Sequence, residues 1–135
     1  MGRVLAIDYG DKRIGLALSD PLKIIASPFK TIRNDNKDNF IKLIEGIIIK
    51  EDVELIIIGL PLGMSGQITD QTTKVKIFSE KLSLIGITIK YVDERWSSIA
   101  AKRSIQEQGI KTGHNKQLVD QTAAAIFLQQ YLDQK

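Results

Sequence analysis

Apolar residues in this chain occur either as short unbroken runs or as stripes at helical spacing, and the two patterns alternate along its length. Val4, Leu5, Ala6 and Ile7 form the first run and read as a buried strand. Gly10 follows, expected to supply the positive φ of a tight turn, and Ile14 to Leu18 form the returning strand. Pro21 and Pro28 mark a turn and bend around Ile24 to Ala26. After them Phe29 to Arg33 reads as a third strand that extends the meander.

From Asp38 the apolar positions Phe40, Leu43, Ile44, Ile47 and Ile48 recur as one face of a helix, and Leu55 to Ile58 is again a continuous strand-like run. Thr69 is placed to cap a helix whose apolar face is Val75, Phe78, Leu82 and Ile85, and Gly86 stops it before a strand from Ile87 to Val92. Ser97 or Ser98 caps a shorter helix through Ile105, and Gly109 to Gly113 is a loop. Lys116 to Leu132 is a final helix with Val119, Ala123, Ile126 and Phe127 on its buried stripe. The two helical crossovers require parallel pairing of the later strands. The prediction is one α/β domain over residues 1–135: a mixed five-stranded sheet, three strands in an antiparallel meander and two added by parallel crossovers, flanked by helices.

Composition narrows the chemistry. At 135 residues and 43% hydrophobic, the chain has material for one core. Nineteen Lys and Arg against 16 Asp and Glu give a net charge of +3, which permits an anionic partner without requiring one. Cysteine is absent and histidine occurs once, so disulfide frameworks, thiolate or imidazole zinc sites, cysteine nucleophiles and histidine-dependent triads lack their parts. Hard, oxygen-ligated metals remain. Asp8 interrupts the first apolar stretch, Ala6 stands where a myristoylation signal needs Ser or Thr, and no run reaches membrane-spanning length. A soluble, cytoplasmic protein is expected.

Against this background Asp8 stands out, because a carboxylate that ends an apolar run and precedes a glycine turn is costly to bury unless it is compensated. A hard cation is one compensation and the turn amides are another. Three further segments carry candidate groups. Leu55 to Gly66 leaves a strand through a glycine-bearing loop into a helix, where backbone amides can receive a phosphate. Tyr91 to Ser98 puts Asp93, Glu94 and Arg95 at the carboxyl end of the last strand, the edge where ligands collect in such sheets. Asp120 lies in the first turns of the final helix, where Ala123 and Ala124 allow close approach to the sheet, and Lys116 sits one turn earlier at the positive end of the helix dipole.

The four segments IDYGDKRIGLALSD, GLPLGMSG, VDERWSS and VDQTAAAIFL, in this order and spacing, resemble the YqgF/RuvX family over nearly the whole chain. Its members are described as Holliday-junction-resolvase-like proteins or pre-16S rRNA nucleases. The resemblance implies a ribonuclease-H-like fold and a nuclease that hydrolyses phosphodiester bonds in structured nucleic acid, with maturation of the 5′ end of precursor 16S rRNA as its task. It also implies Asp8, Glu94 and Asp120 as the catalytic and metal-binding acids, with Asp93 as a substitute for Glu94. One or two Mg²⁺ or Mn²⁺ ions are the expected cofactors. The wider ribonuclease-H-like class places an acid on the strand corresponding to Leu55 to Ile58, but here that strand ends in Gly59, Leu60 and Pro61.

Lys12, Arg13, Arg95 and Lys116 flank the acids and are the expected phosphate contacts, while Tyr9 and Trp96 are placed to stack on unpaired bases. Asp11 and Asp20 read as turn residues, and His114 as a solvated loop residue. The competing readings are a resolvase acting on branched DNA, a non-catalytic RNA-binding assembly factor, and a dimeric actin-like ATPase. The last would need a second copy to enclose its nucleotide. No exposed apolar helix stripe advertises an interface, so the chain reads as a monomer.

Overall fold

The continuous apolar runs become the inner strands of one sheet. The computed structural model describes residues 2–34, 39–62, 65–93 and 116–134, with side chains from residue 121 onward in the last stretch. Five strands, β1 (Arg3–Tyr9), β2 (Arg13–Ser19), β3 (Ala26–Arg33), β4 (Val53–Leu60) and β5 (Thr88–Asp93), pair in the order β3-β2-β1-β4-β5. β1 runs antiparallel to β2 and parallel to β4, and β5 continues the parallel half. Helices α1 (Asn39–Glu51) and α2 (Asp70–Leu82) make the crossovers, and α3 (Lys116–Asp133) follows β5 in the chain. The predicted mixed sheet is therefore observed. The expected shorter helix from Ser97 or Ser98 and the Gly109 to Gly113 loop lie outside the described residues.

β1 is buried on both faces, which is why it shows no alternation in sequence. Leu5 and Ile7 enter a core with Ile14, Leu16, Ile56, Ile58 and the inward residues of α1 and α2. Val4 and Ala6 enter a second core with Ala17, Leu55, Ile57 and, from α3, Ala124, Phe127 and Leu128. The pleat thus assigns alternate β1 residues to different helices. In α1 only Phe40, Ile44 and Ile47 are buried, while Leu43 is half exposed because it lies at the margin of the stripe. In α3 the buried set is Ala123, Ala124, Ala125, Phe127, Leu128 and Leu132, with Ile126 partly exposed.

Local signals act largely as expected. Thr69 caps α2, its hydroxyl accepting from the Thr72 amide while the Thr72 hydroxyl accepts from the Thr69 amide in a reciprocal box. The Thr72 hydroxyl also donates to the Pro61 carbonyl and so ties the loop after β4 to the helix start. Gly86 takes a left-handed conformation, φ +91°, and ends the short 3₁₀ turn that follows α2. Two expectations need correction. Gly10 is not at positive φ; a Cβ there would lie 2.6 Å from the Arg13 carbonyl oxygen, so the turn needs Gly10 for close backbone approach. Pro28 lies within β3, beside a register shift opposite Leu16 and Ala17, where an edge strand tolerates a missing donor.

Asp20 organises the β2–β3 connection by accepting from the Ile24 and Ile25 amides, both at 2.8 Å. The Ile25 amide, then that of Ile24, holds its carboxyl below the ordinary value of 3.8. The folded state therefore gains stability from Asp20 above that value and loses it as pH falls below it toward the depressed one. The thermal midpoint of Asp20→Ala is expected to lie below that of the unaltered chain at neutral pH, with the gap closing on acidification through that window. Filling the small-residue seam is the second test. Ala124→Leu should cost about 1–3 kcal/mol in denaturant unfolding, because overpacking forces helix and sheet apart.

Candidate active site

Parallel strands β1, β4 and β5 end on one edge of the sheet, and Asp8 stands there, half-buried, one residue before the end of β1. It follows Val4 and Ala6 on the face covered by α3. Its neighbours on that face are small. Asp8 pairs directly with Gly15 on β2, and one step beyond the Ile7–Ile58 pair it comes level with Gly59 on β4. With glycine at the paired position of both flanking strands, β2 and β4 put no side chain directly beside the carboxylate, which leaves room there for close approach. Gly15 was not singled out in the sequence; an isolated glycine inside an apolar strand is the signal that identifies it.

The direction of α3 is set at its far end. The Gln129 side chain accepts from the Ala26 amide at 2.8 Å and donates to the Ile24 carbonyl at 2.9 Å. Ala26 pairs with Ser19, whose hydroxyl accepts from the Val4 amide at 2.8 Å. The carboxyl half of α3 is thereby fixed beside the start of β1, and its first turns run toward the edge where Asp8 lies. Going back from Gln129 to position 120 covers roughly 13 Å at about 1.5 Å per residue. Val4 to Asp8 spans a similar distance, roughly 13 Å, at about 3.3 Å per residue. Buried Ala124 and Ala125 share a core with Ala6 and Ala17, with little side chain between helix and sheet.

The other expected site residues fall as follows. Asp93 ends β5 and pairs with Leu60, which packs into the α1/α2 core, so the pleat puts Asp93 on the face opposite Asp8. It is also two strands away, roughly 10 Å. Lys12 is exposed in the β1–β2 turn and Arg13 is half-buried at the start of β2. Lys116 is the first residue of α3, and position 120 lies in its second turn; neither side chain is described. Glu94, Arg95, Trp96 and His114 lie outside the described residues. Among the described residues no three carboxylate or imidazole groups cluster as a metal site. Asp8 itself is a hard oxygen donor with glycine on both flanking strands, a donor type that fits a divalent cation.

Asn34 is a residue the sequence did not flag. Nearly buried just past β3, it donates its amide to the Lys12 carbonyl and its side-chain nitrogen to the Gly10 carbonyl, each at 2.9 Å. With the Gly10 amide donating to the Arg13 carbonyl at 2.9 Å, the turn after Asp8 is fixed from both sides. Asp11 pairs with Lys74 of α2 at 3.3 Å.

Known proteins share the sequence pattern and the fold. A family model described as RuvX, Holliday junction resolvase, matches residues 2–134. A protein of Roseiflexus sp. (strain RS-1) named "Putative pre-16S rRNA nuclease" is 43% identical, covering 98% of this chain and 94% of its own. One of the same name from Bacteroides thetaiotaomicron is 42% identical, covering 100% and 99%. Among solved structures, Thermus thermophilus RuvC in complex with a Holliday junction substrate superposes with TM-score 0.59 at 14% identity, covering 98% of this chain and 94% of that one. The fowlpox virus resolvase bound to Holliday junction DNA gives 0.54 at 11%, covering 98% and 97%. The sheet with its flanking helices is thus the ribonuclease-H-like fold of RuvC-type resolvases.

Gly10→Ala tests how tightly the turn positions Asp8. The new methyl meets backbone, not a flexible side chain, so the variant should lose about 1–3 kcal/mol in denaturant unfolding.

Proposed function

The chain belongs to the RuvX Holliday junction resolvase family, and from that premise we propose that it is a divalent-metal-dependent nuclease that cleaves phosphodiester bonds in precursor 16S rRNA in the cytoplasm. The observation that carries the reading is the placement of Asp8. It sits at the carboxyl end of the central strand, between glycines, on the face toward which the first turns of α3 are directed. The relatives' names supply the substrate class.

In this reading Asp8, Glu94 and Asp120 hold the cation. Strand alternation supports Glu94 over Asp93, since Asp93 falls on the opposite face from Asp8. A place for Asp120 on the sheet-facing side is supported by its helical spacing from buried Ala124 and Phe127, four and seven residues on. A Mg²⁺ or Mn²⁺ ion held by these carboxylates would supply positive charge to offset that developing on the reacting phosphate. The chain's own work is positioning. Lys12 and Arg13 in the fixed turn, with Arg95 and Lys116, hold neighbouring phosphates of the strand. No covalent protein intermediate forms.

A second reading, resolution of branched DNA, is favoured by the family's own description. One comparison separates them: precursor rRNA, a four-way DNA junction and plain single strands, each incubated with and without Mn²⁺. The precursor rRNA is expected to be cut fastest, and only with metal; preferential cutting of the junction would favour the second reading. Asp8→Asn should lower metal-dependent cleavage about a thousandfold or more, several kcal/mol of lost stabilisation, with its unfolding profile nearly unchanged. Undiminished cleavage by this variant would remove Asp8 from the site.

A further inference from the structure

Across the pleat from Asp8, Tyr9 faces the other side of the sheet, where it lines a groove of about 480 Å³ closed by α2. Its floor is aromatic. The Tyr9 and Phe78 rings have centroids 4.5 Å apart, and those of Phe40 and Phe78 are 4.6 Å apart, both pairs tilted. Its rim is cationic, with Lys74 and Lys81 projecting from the same α2 flank two turns apart and Ile77, half exposed, between them. Asn34 lines this groove and also a second one, of similar volume, that runs along Lys12, Arg13 and Arg33. Among the described lining residues, five cations therefore surround one carboxylate, Asp11.

The geometry points to a subsite for one unpaired nucleotide of the strand that flanks the scissile phosphate, its base on the partly exposed Tyr9 ring, which Phe78 backs, and its phosphates on Lys74 and Lys81. This rests on the nuclease reading for the position of the scissile phosphate. Consecutive residues Asp8 and Tyr9 point to opposite faces, so a strand leaving Asp8 over the sheet edge arrives at the groove. The half-buried Tyr9 ring beneath a rim of lysines suits an unstacked base, which offers a π-face and carries its own anion, whereas bases stacked in a duplex cannot reach it. The Asp11–Lys74 pair, exposed and 3.3 Å long, is weak enough to yield to a phosphate.

Fluorescence anisotropy in EDTA, where metal-dependent cleavage is silent, tests the subsite apart from catalysis. The probes are a labelled single-stranded oligoribonucleotide, an abasic strand with the same number of phosphates, and a blunt duplex. The unaltered chain should bind the base-bearing strand about tenfold more tightly than the abasic one. Lys74→Gln with Lys81→Gln should weaken single-strand binding and reduce its salt slope by about 1.4, roughly 0.7 per phosphate contact. Lys50→Gln, at the far end of α1, should change neither. Tyr9→Leu should abolish the preference for bases and Tyr9→Phe should keep it; if Tyr9→Leu fails to fold, the abasic comparison and the lysine pair still decide. Equal affinity for base-bearing and abasic strands, no single-strand binding, or indifference to the lysine pair would overturn the subsite. Cleavage of precursor rRNA alongside such a result would leave the nuclease reading standing. Base-selective, lysine-dependent binding by a protein that cleaves nothing would do the reverse.

Discussion

Close contact between α3 and the centre of the sheet is the constraint from which the arrangement of the site follows. Ala6 and Ala17 on the strands meet Ala124 and Ala125 on the helix, so the backbones approach with little side chain between them. Dispersion attraction falls steeply with separation, and a seam of small residues is how a helix gains it from backbone as well as side chains. The larger groups, Phe127, Leu128 and Leu132, fill the space toward the carboxyl end, where Gln129 also binds the start of β3. Packing thereby fixes the helix at its carboxyl half and orients its first turns toward the strand ends. The carboxylate of Asp8 lies on the same face, flanked by Gly15 and Gly59.

β1 distributes chemistry between two faces. Asp8 belongs to the α3 side, while Tyr9, the next residue, packs on Phe78 of α2. Gly10 and Asn34 then fix the turn that carries Lys12 and Arg13. A single strand end therefore combines an acid, an aromatic surface and two cations within a few residues, each held by a different part of the fold. Rigid placement of this kind is what a hydrolytic site needs, since reacting groups must be positioned before reaction. No helix among the described residues is long and apolar enough to cross a membrane.

Much of this was legible in the sequence because its signals are local. Unbroken runs announced β1 and β4, Thr69 and Gly86 bounded α2 and the turn after it, and the Ala123–Ala124 pair forecast a close helix. What was not legible depends on pairing between distant segments. Whether Gly10 serves φ or close approach is decided by the Arg13 carbonyl, and residue type alone cannot distinguish the two. That Asp93 and Asp8 lie on opposite faces follows only from the registers of β1 with β4 and β4 with β5. Asn34 and the α2 lysines come from separate elements and carry no common motif, so only the folded arrangement brings them to one groove. The shared motifs supplied what local physics could not, namely which of several acids to consider together.

In the proposed site Asp8 shares a divalent cation with Glu94, after β5, and Asp120, at the start of α3. Anomalous diffraction from crystals of the protein grown with Mn²⁺ tests it most directly. One or two manganese peaks are expected within coordination distance of the Asp8 carboxylate, with Glu94 and Asp120 completing the ligand set. Manganese bound elsewhere, or an Asp8 carboxylate without a metal while Glu94 and Asp120 point away from it, would contradict the account.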